Sequence, residues 1–395
     1  MEKKLIGIDE FIFVKPDKLK QLAKNVMLAI GCSEIAASDI AKHLINSDLG
    51  GVKSHGNARL SQYVKQAQDN LWTPSGMPTL SQNNKGAWIC DGHDGMGILA
   101  VRLAVEKACD LATLKTDAGN NRSGFGIASV GVVNCGHTGR IGEMAEEGAK
   151  RGCLTFIISG GTRKEWRQVA PYGGRKGMLP TNPYAISIPA DRNGPVTLDF
   201  ATGATAGGWV LAAKKSNAKL KSNLIMDKFG NPSQDPQDYL DGGAILPAAG
   251  HKGYGLGLVA ELIAYSILGK VAKAKGLGLN TMVIALDVTR YRALHDISGA
   301  ASEILEELKA SPPAPGFEKV EIPGQREHSI AAMTNEIKLT KGIWDDIKKV
   351  ANELNIKNIP SVRNVVNQQN NNSSNDVKKN DVKKKQLMIG VKSKL

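Results

Sequence analysis

Residues 133–148 read VNCGHTGRIGEMAEEG. A β-type run ends at Cys135, Gly136 and Gly139 bracket His137, and a helical pattern begins near Arg140. A strand that turns through glycines into a helix is the repeating unit of an α/β protein. Amide N–H groups at a helix start attract anionic oxygens, so the turn is also a candidate place for a carboxylate or phosphate beside a titratable histidine. Cys135, small and at a strand end, reads as a buried cysteine rather than a nucleophile paired with His137.

The same texture continues on both sides. Between Trp88 and about Leu286 the runs SVGVVNC, CLTFIIS, PYAISIP, VTLDF and TMVIALDV read as strands, with helical stretches at 98–114, 140–151 and 254–270. Upstream, residues 16–31 and 33–49 carry apolar residues at three-and-four spacing, with Gly31 closing the first helix and Ser33 placed to cap the second. A third helix starts near Asn57. After Ser298 the pattern is again helical, followed by the turn PPAPG, the short run EKVEIPG and a last helix over 340–354. The expected architecture is therefore a helical domain made discontinuously from 1–87 and 295–360, with an α/β domain over 88–294. Residues 361–395 are Asn/Lys-rich, with too few large apolar side chains to offset ordering entropy, and read as a disordered tail.

Composition narrows the function classes. The formal charge is +13, but residues 361–395 hold eight Lys/Arg against two Asp, which leaves +7 on the first 360 residues. That mild excess suits a small anionic ligand, and nucleic acid is not the expected partner. Five cysteines (Cys32, Cys90, Cys109, Cys135, Cys153) form no CxxC pair, which points to a reducing compartment. The most apolar stretch, 253–272, contains Glu261 and several glycines and reads as a buried helix, so no membrane span is expected. Neither a Gly-x-Gly-x-x-Gly turn in a strand–helix setting nor a Walker loop, HExxH or GxSxG occurs. No metal site is expected.

Four polar clusters remain. The first is Ser54, His55, Arg59 and Tyr63 in KSHGNARLSQY, where an imidazole can exchange a proton with a reacting oxygen and a guanidinium can grip a carboxylate through two parallel bonds. A helix-capping turn with a surface arginine fits the same spacing. His137 and its turn form the second. The third joins Gly173 and Gly174 in APYGGRKGMLPTNPY to Asp199 in VTLDFATGA, strand ends that expose backbone amides and a carboxylate able to orient a histidine or a ribose hydroxyl. In the fourth, AGHKGYGLGLVAEL, Lys252 lies at a helix start within reach of a pyrophosphate.

Taken in order, GVKSHGNARLSQYV, VNCGHTG, PYGGRKGMLPTNP, LDFAT, AGHKGYGLGLVAEL and SPPAPGFEKVEIPG resemble the type-2 malate/L-lactate dehydrogenase family from about Ile8 to Ile356. The resemblance implies a non-Rossmann mixed-sheet fold that binds NAD or NADP, usually as a homodimer. It implies interconversion of 2-hydroxy and 2-oxo acids, with ureidoglycolate oxidation or cyclic-imine carboxylate reduction as relatives' alternatives. On this likeness His55 or His137 is the proton-transfer group, Asp199 supports the histidine and the cofactor side, and Ser54, Arg59 and Tyr63 belong to the substrate. Gly173, Gly174, Thr181, Asn182, Ala201, Thr202, Lys252, Pro323, Gly324 and Gln325 are then cofactor contacts.

Several positions depart from the family pattern: Pro180 precedes Thr181-Asn182-Pro183 in place of glycine, Gly203 follows Ala201-Thr202 in place of serine, and Gln325 replaces glutamate. Residues 117–124 read as an extra loop and the segment between Lys270 and Thr281 as a short one. The last residues, Ser393-Lys394-Leu395, match the address read by the peroxisomal import receptor, so a peroxisomal location is expected where the source has that organelle. An inactive core with a basic tail for RNA or acidic surfaces is the non-enzymatic alternative. The intact His55, Arg59, His137 and Lys252 weigh against it.

Overall fold

The structure, a computed structural model, describes residues 10–113, 124–164, 166–215, 217–269 and 278–366. The expected loop over 117–123, residues 270–277 of the short segment, and the tail beyond 366 with Ser393-Lys394-Leu395 lie outside the described residues. In chain order the elements are β1 Glu10–Val14, α1 Pro16–Ala29, α2 Glu34–Leu49, α3 Leu60–Gln68, β2 Thr79–Gln82, β3 Trp88–Asp91, α4 Gly97–Thr113, β4 Ile127–Cys135, α5 Ile141–Lys150 and β5 Cys153–Gly160. There follow β6 Tyr184–Asp191, β7 Gly194–Phe200, α6 Gly207–Lys215, β8 Ile225–Met226, β9 Pro232–Ser233, α7 Pro236–Leu240, β10 Ala244–Ile245 and α8 His251–Glu261. The chain closes with β11 Leu279–Asp287, α9 Leu294–Lys309, α10 Gln325–Met333, β12 Ile337–Thr340, α11 Lys341–Glu353 and β13 Arg363–Val366.

The main sheet runs β2-β3-β4-β11-β5-β6-β7, with β3 and β4 parallel and every other neighbour antiparallel. A doubly wound dinucleotide fold needs a mostly parallel sheet, so the missing glycine fingerprint and the topology agree. Helices α4 and α5 cover this sheet and share a core with Cys90, Cys109, Cys135 and Cys153, all free thiols. A second core joins α1, α2, α3 and α11 around Leu19, Leu22, Ile40, Leu44, Leu60 and Ile347. Local chemistry sets the helix ends. Ser33 Oγ accepts from Ala36 N at 3.2 Å, Pro16 opens α1, and Gly31 at φ +100° takes the left-handed turn after it.

Three expectations need correction. The helical part contains a sheet of its own, β12-β1-β13, in which β1 pairs antiparallel with strands more than 300 residues away. Arg363–Val366 is therefore a strand, and ordered chain continues past the expected tail boundary at 361 because β1 supplies the missing ladder partners. At the other boundary, β2 joins the main sheet although it precedes residue 88, and α9 packs on β6 although it follows 294. The helix expected over 254–270 begins at His251, and beyond Glu261 it widens into a π-helical turn, Leu262–Ile267. Asn280 Nδ2 meets the carbonyls of Ala264 and Gly269 at 2.9 and 2.8 Å there, satisfying groups that the irregular turn frees.

Thr340 closes β12 and caps α11, its Oγ1 accepting from Ile343 N at 3.3 Å. Replacing it with alanine should lower the unfolding free energy by about 1 kcal/mol in urea denaturation, and Thr340→Ser should restore it. Equal stability of all three proteins would contradict the cap.

Candidate active site

The segment between α2 and α3 folds as two short 3-10 turns, Lys53–His55 and Asn57–Arg59. Asp48, buried near the end of α2, holds them: its Oδ2 accepts from Asn57 N and Asn57 Nδ2 at 2.9 and 2.8 Å. Burial raises the Asp48 carboxyl to about 6, against the lowering effect of the Asn57 bonds and nearby Lys53. Any side chain at Gly56 would collide with that carboxylate, so glycine is required by close approach. His55 follows from this frame, half-buried, with Nδ1 3.0 Å from Ser54 Oγ.

His137 arrives from the end of β4. Its ring stacks on His55 with centroids 5.7 Å apart and planes 12° from parallel. Tyr63 Oη lies 2.8 Å from His137 Nδ1, and Gly139 N–H donates to the same nitrogen at 3.3 Å. Tyr63 is 1% exposed, and burial lifts its hydroxyl to about 12. Its hydroxyl therefore backs His137 from the interior, at the position where the family likeness implied a substrate contact. Both Nε2 atoms have no protein partner among the described residues.

Arg59 completes the group. Its Nε donates to Ser54 O at 2.6 Å and its Nη1 to Gln62 Oε1 at 2.7 Å, and no carboxylate among the described residues pairs with it. An unbalanced guanidinium beside two imidazoles has one electrostatic consequence: it disfavours a proton on either. Burial first, then the charge of Arg59 with His43 and Arg140, pushes His55 down to about 3. Burial, Arg59 and His55 hold His137 well below its ordinary value.

The amino end of α5 is not the anion site that its sequence suggested. Gly142 N donates to Asp199 Oδ2 at 2.8 Å, Arg140 N to His43 Nε2 at 2.9 Å, and Gly139 N to His137. The protein's own groups take these amides. Asp199 accordingly caps a helix and meets neither histidine ring.

The remaining candidates assemble along α8. Thr202 N and Oγ1 both reach Thr181 O, at 2.8 and 3.0 Å, and Thr202 packs against Gly253 and Gly257 on α8. Asn182, in the left-handed region at φ +36°, donates from Nδ2 to Glu261 Oε2 at 3.0 Å. Glu261 also accepts from the amides of Gly161 and Arg163, so one buried carboxylate ties the ends of β5 and α8 to the 181–183 turn. Sequence reasoning missed this residue because its partners lie 79 to 100 positions away. At the other end of α8, Tyr172 meets the His251 ring edge-on, bringing the Gly173-Gly174 turn to Lys252. Gly173, at φ +85°, faces open space, and Lys252 is exposed without an ion pair among the described residues. Ala201 precedes Thr202 half-buried.

Pro323-Gly324-Gln325 docks elsewhere, on the β6–β7 hairpin: Pro323 O accepts from Thr197 N at 3.1 Å and Gln325 Nε2 donates to Asp191 Oδ1 at 3.1 Å. Two departures gain reasons here. A glutamate at 325 would set two carboxylates together, and a Cβ at Gly203 would stand 3.0 Å from Val169 Cγ2. Nothing in the structure explains Pro180.

The family model described as malate/L-lactate dehydrogenase matches residues 14–348. The chain is 30% identical to the malate/(S)-sulfolactate dehydrogenase of Methanothermus fervidus over 361 residues, 88% of this chain and 99% of that one. It is 28% identical to the NAD(+) ureidoglycolate dehydrogenase of Escherichia coli K12, over 79% of this chain and 87% of that one. The sulfolactate dehydrogenase structure from Methanocaldococcus jannaschii superposes with a TM-score of 0.75 at 27% identity, covering 88% of this chain and 98% of that one. The match over residues 14–348 shows that the protein, with its histidine pair beside an arginine that no carboxylate of the described residues pairs with, belongs to the malate/L-lactate dehydrogenase family, enzymes that act on a CH–OH group.

Proposed function

We propose that this dehydrogenase interconverts a small 2-hydroxy acid and its 2-oxo acid, of the malate/oxaloacetate or lactate/pyruvate type, using NAD or NADP. The observation that carries the reading is the stacked histidine pair beside a guanidinium that no carboxylate of the described residues neutralises. Arg59 would take the substrate carboxylate, a match of planar fork to planar anion. Burial is the larger bias against a proton on either ring, and the anion cancels the second, the charge of Arg59, so substrate binding favours protonation of the pair.

The two rings divide the work. His137 Nδ1 accepts from a backbone N–H, so its own proton sits on Nε2, and the ring acts as a neutral donor that orients the reacting oxygen. His55 Nδ1 faces a hydroxyl that can donate or accept, so His55 can exist in either protonation state and is assigned the proton transfer. The open Gly173-Gly174 turn and Lys252 at the start of α8 fit the phosphates of a nicotinamide cofactor, which supplies or accepts the hydride when bound. Ureidoglycolate and cyclic-imine carboxylates need the same carboxylate grip and proton supply and are the alternative substrates. A second copy of the chain is the proposed cover for α6, α8 and the π-helical turn after it, where Trp209, Leu211, Val259, Leu262 and Ile267 are exposed.

Oxidation of NADH and of NADPH with a panel of 2-oxo acids should show turnover, lowered on the order of 100- to 10,000-fold by His55→Ala. Arg59→Lys should raise the KM of the 2-oxo acid more than that of the cofactor. Near-wild-type rates in His55→Ala and His137→Ala alike would end this reading.

The pH profile has a definite sign. With His55 at about 3 in the free protein, its protonated fraction falls tenfold per pH unit above that value. Log kcat/KM for 2-oxo-acid reduction should therefore fall with slope −1 between pH 5 and 8, while hydroxy-acid oxidation shows no acid limb near 6.5. A plateau in reduction up to pH 6.5 would contradict the shifted histidine.

A further inference from the structure

We propose that His43, which touches no reacting group, is a positioning residue that fixes where His137 carries its proton. The proposal rests on the reading of His137 as part of the proton-transfer site, and its first readout does not depend on activity. His43 is wholly buried on α2, among Ile40, Ala41 and Leu44. Its Nε2 accepts the backbone N–H of Arg140 at 2.9 Å, so the ring proton resides on Nδ1, 2.6 Å from Glu143 Oε2. The other oxygen of Glu143 is held by Asn46 Nδ2 at 2.9 Å and Arg102 Nη2 at 3.2 Å, and Arg102 also pairs with Asp39 and Glu147. The carboxylate cannot swing away from His43 without breaking a junction of α2, α4 and α5.

What this junction controls is a single glycine. Gly139 has φ +67°, and a Cβ there would collide with the His43 ring, so the imidazole packs directly on the Gly139 backbone. On the far side, Gly97 at the start of α4 approaches the carbonyls of Gly136 and His137 with no room for a side chain. Between these two surfaces the turn offers two successive amides to two imidazoles, Gly139 N–H to His137 Nδ1 and Arg140 N–H to His43 Nε2. Holding the second orients the first. The Gly139 amide, with the Tyr63 hydroxyl 2.8 Å from the same nitrogen, makes Nδ1 of His137 an acceptor and leaves its proton on Nε2, the atom with no protein partner among the described residues.

Arg140, Glu143 and Glu146 face His43 or its partners from α5 and Arg102 from α4, so the ring sits inside a braced polar junction and not in a loose apolar stripe.

Two substitutions separate positioning from bulk. His43→Gln can still present an oxygen to Arg140 N–H, whereas His43→Asn reaches Glu143 but not that amide. In full-length protein with 15N-labelled histidine, the wild-type His137 signals should be those of an Nε2–H tautomer. His43→Asn should mix the two tautomers of His137 and lower kcat on the order of 10- to 100-fold, with the KM for NADH or NADPH within about twofold. His43→Gln should restore the tautomer and most of kcat. A wild-type His137 spectrum in folded His43→Asn would overturn the proposal, as would loss in His43→Gln equal to that in His43→Asn. A tautomer change in a protein that turns over no 2-oxo acid would leave this inference intact and remove the proposed reaction instead.

Discussion

Two partly buried imidazoles stacked 5.7 Å apart beside a guanidinium that no carboxylate of the described residues pairs with cannot readily hold a proton, and much of the surrounding structure keeps them there. Positive charges in a partly dry cleft repel one another at short range far more than in water. The fold accepts this cost by assembling the site from three separate pieces: the 3-10 turns pinned by Asp48, the β4–α5 turn pinned by His43, and α3, which lends Tyr63 from behind. No single element could hold that geometry. Two of the three pieces are braced by a buried carboxylate, Asp48 for His55 and Glu143 for the His137 turn, and neither carboxylate pairs with Arg59. The unsatisfied charge is left for an anion.

A parallel logic runs along α8. Glu261 gathers the amides of Gly161 and Arg163 and the side chain of Asn182, which fixes the 181–183 turn, while Thr202 braces against two α8 glycines. The helix is apolar on nearly every side, yet much of its surface is exposed, and the π-helical turn that follows it is backed by Asn280. A helix that serves the interior with one face and leaves leucines outside on the other is suited to a second apolar surface.

Much of this was legible in the sequence wherever the determinant was local. Alternating runs marked the main strands, Ser33 and Gly31 marked helix ends, and the SHG and GHTG motifs marked both histidines, because spacing along the chain decides those features. What was not legible depends on partners distant in sequence. β1 looks like a short apolar run until β12 and β13 supply its ladder, more than 300 residues later. Tyr63 shares a helical face with Arg59, which suggested a shared ligand, but burial turned its hydroxyl onto His137. Asp199 lies at a strand end, where it was free on paper to meet a histidine, and tertiary packing set it against the amino end of α5. The one available signal for His43 was a histidine in an otherwise apolar helical stripe, a pattern that periodicity alone counts as filler.

The central claim is that the site waits unprotonated and acquires its proton with the substrate anion. It is tested most directly by titrating oxamate, a non-reacting 2-oxo-acid analogue, into the NADH- or NADPH-saturated protein at pH 7 by calorimetry in buffers of different ionisation enthalpy. The account predicts uptake of about one proton per site, lost in Arg59→Met and in His55→Gln. Tight binding with no proton uptake would mean that the imidazoles are already protonated or stay neutral throughout, and the coupling of Arg59 to the histidine pair would be wrong.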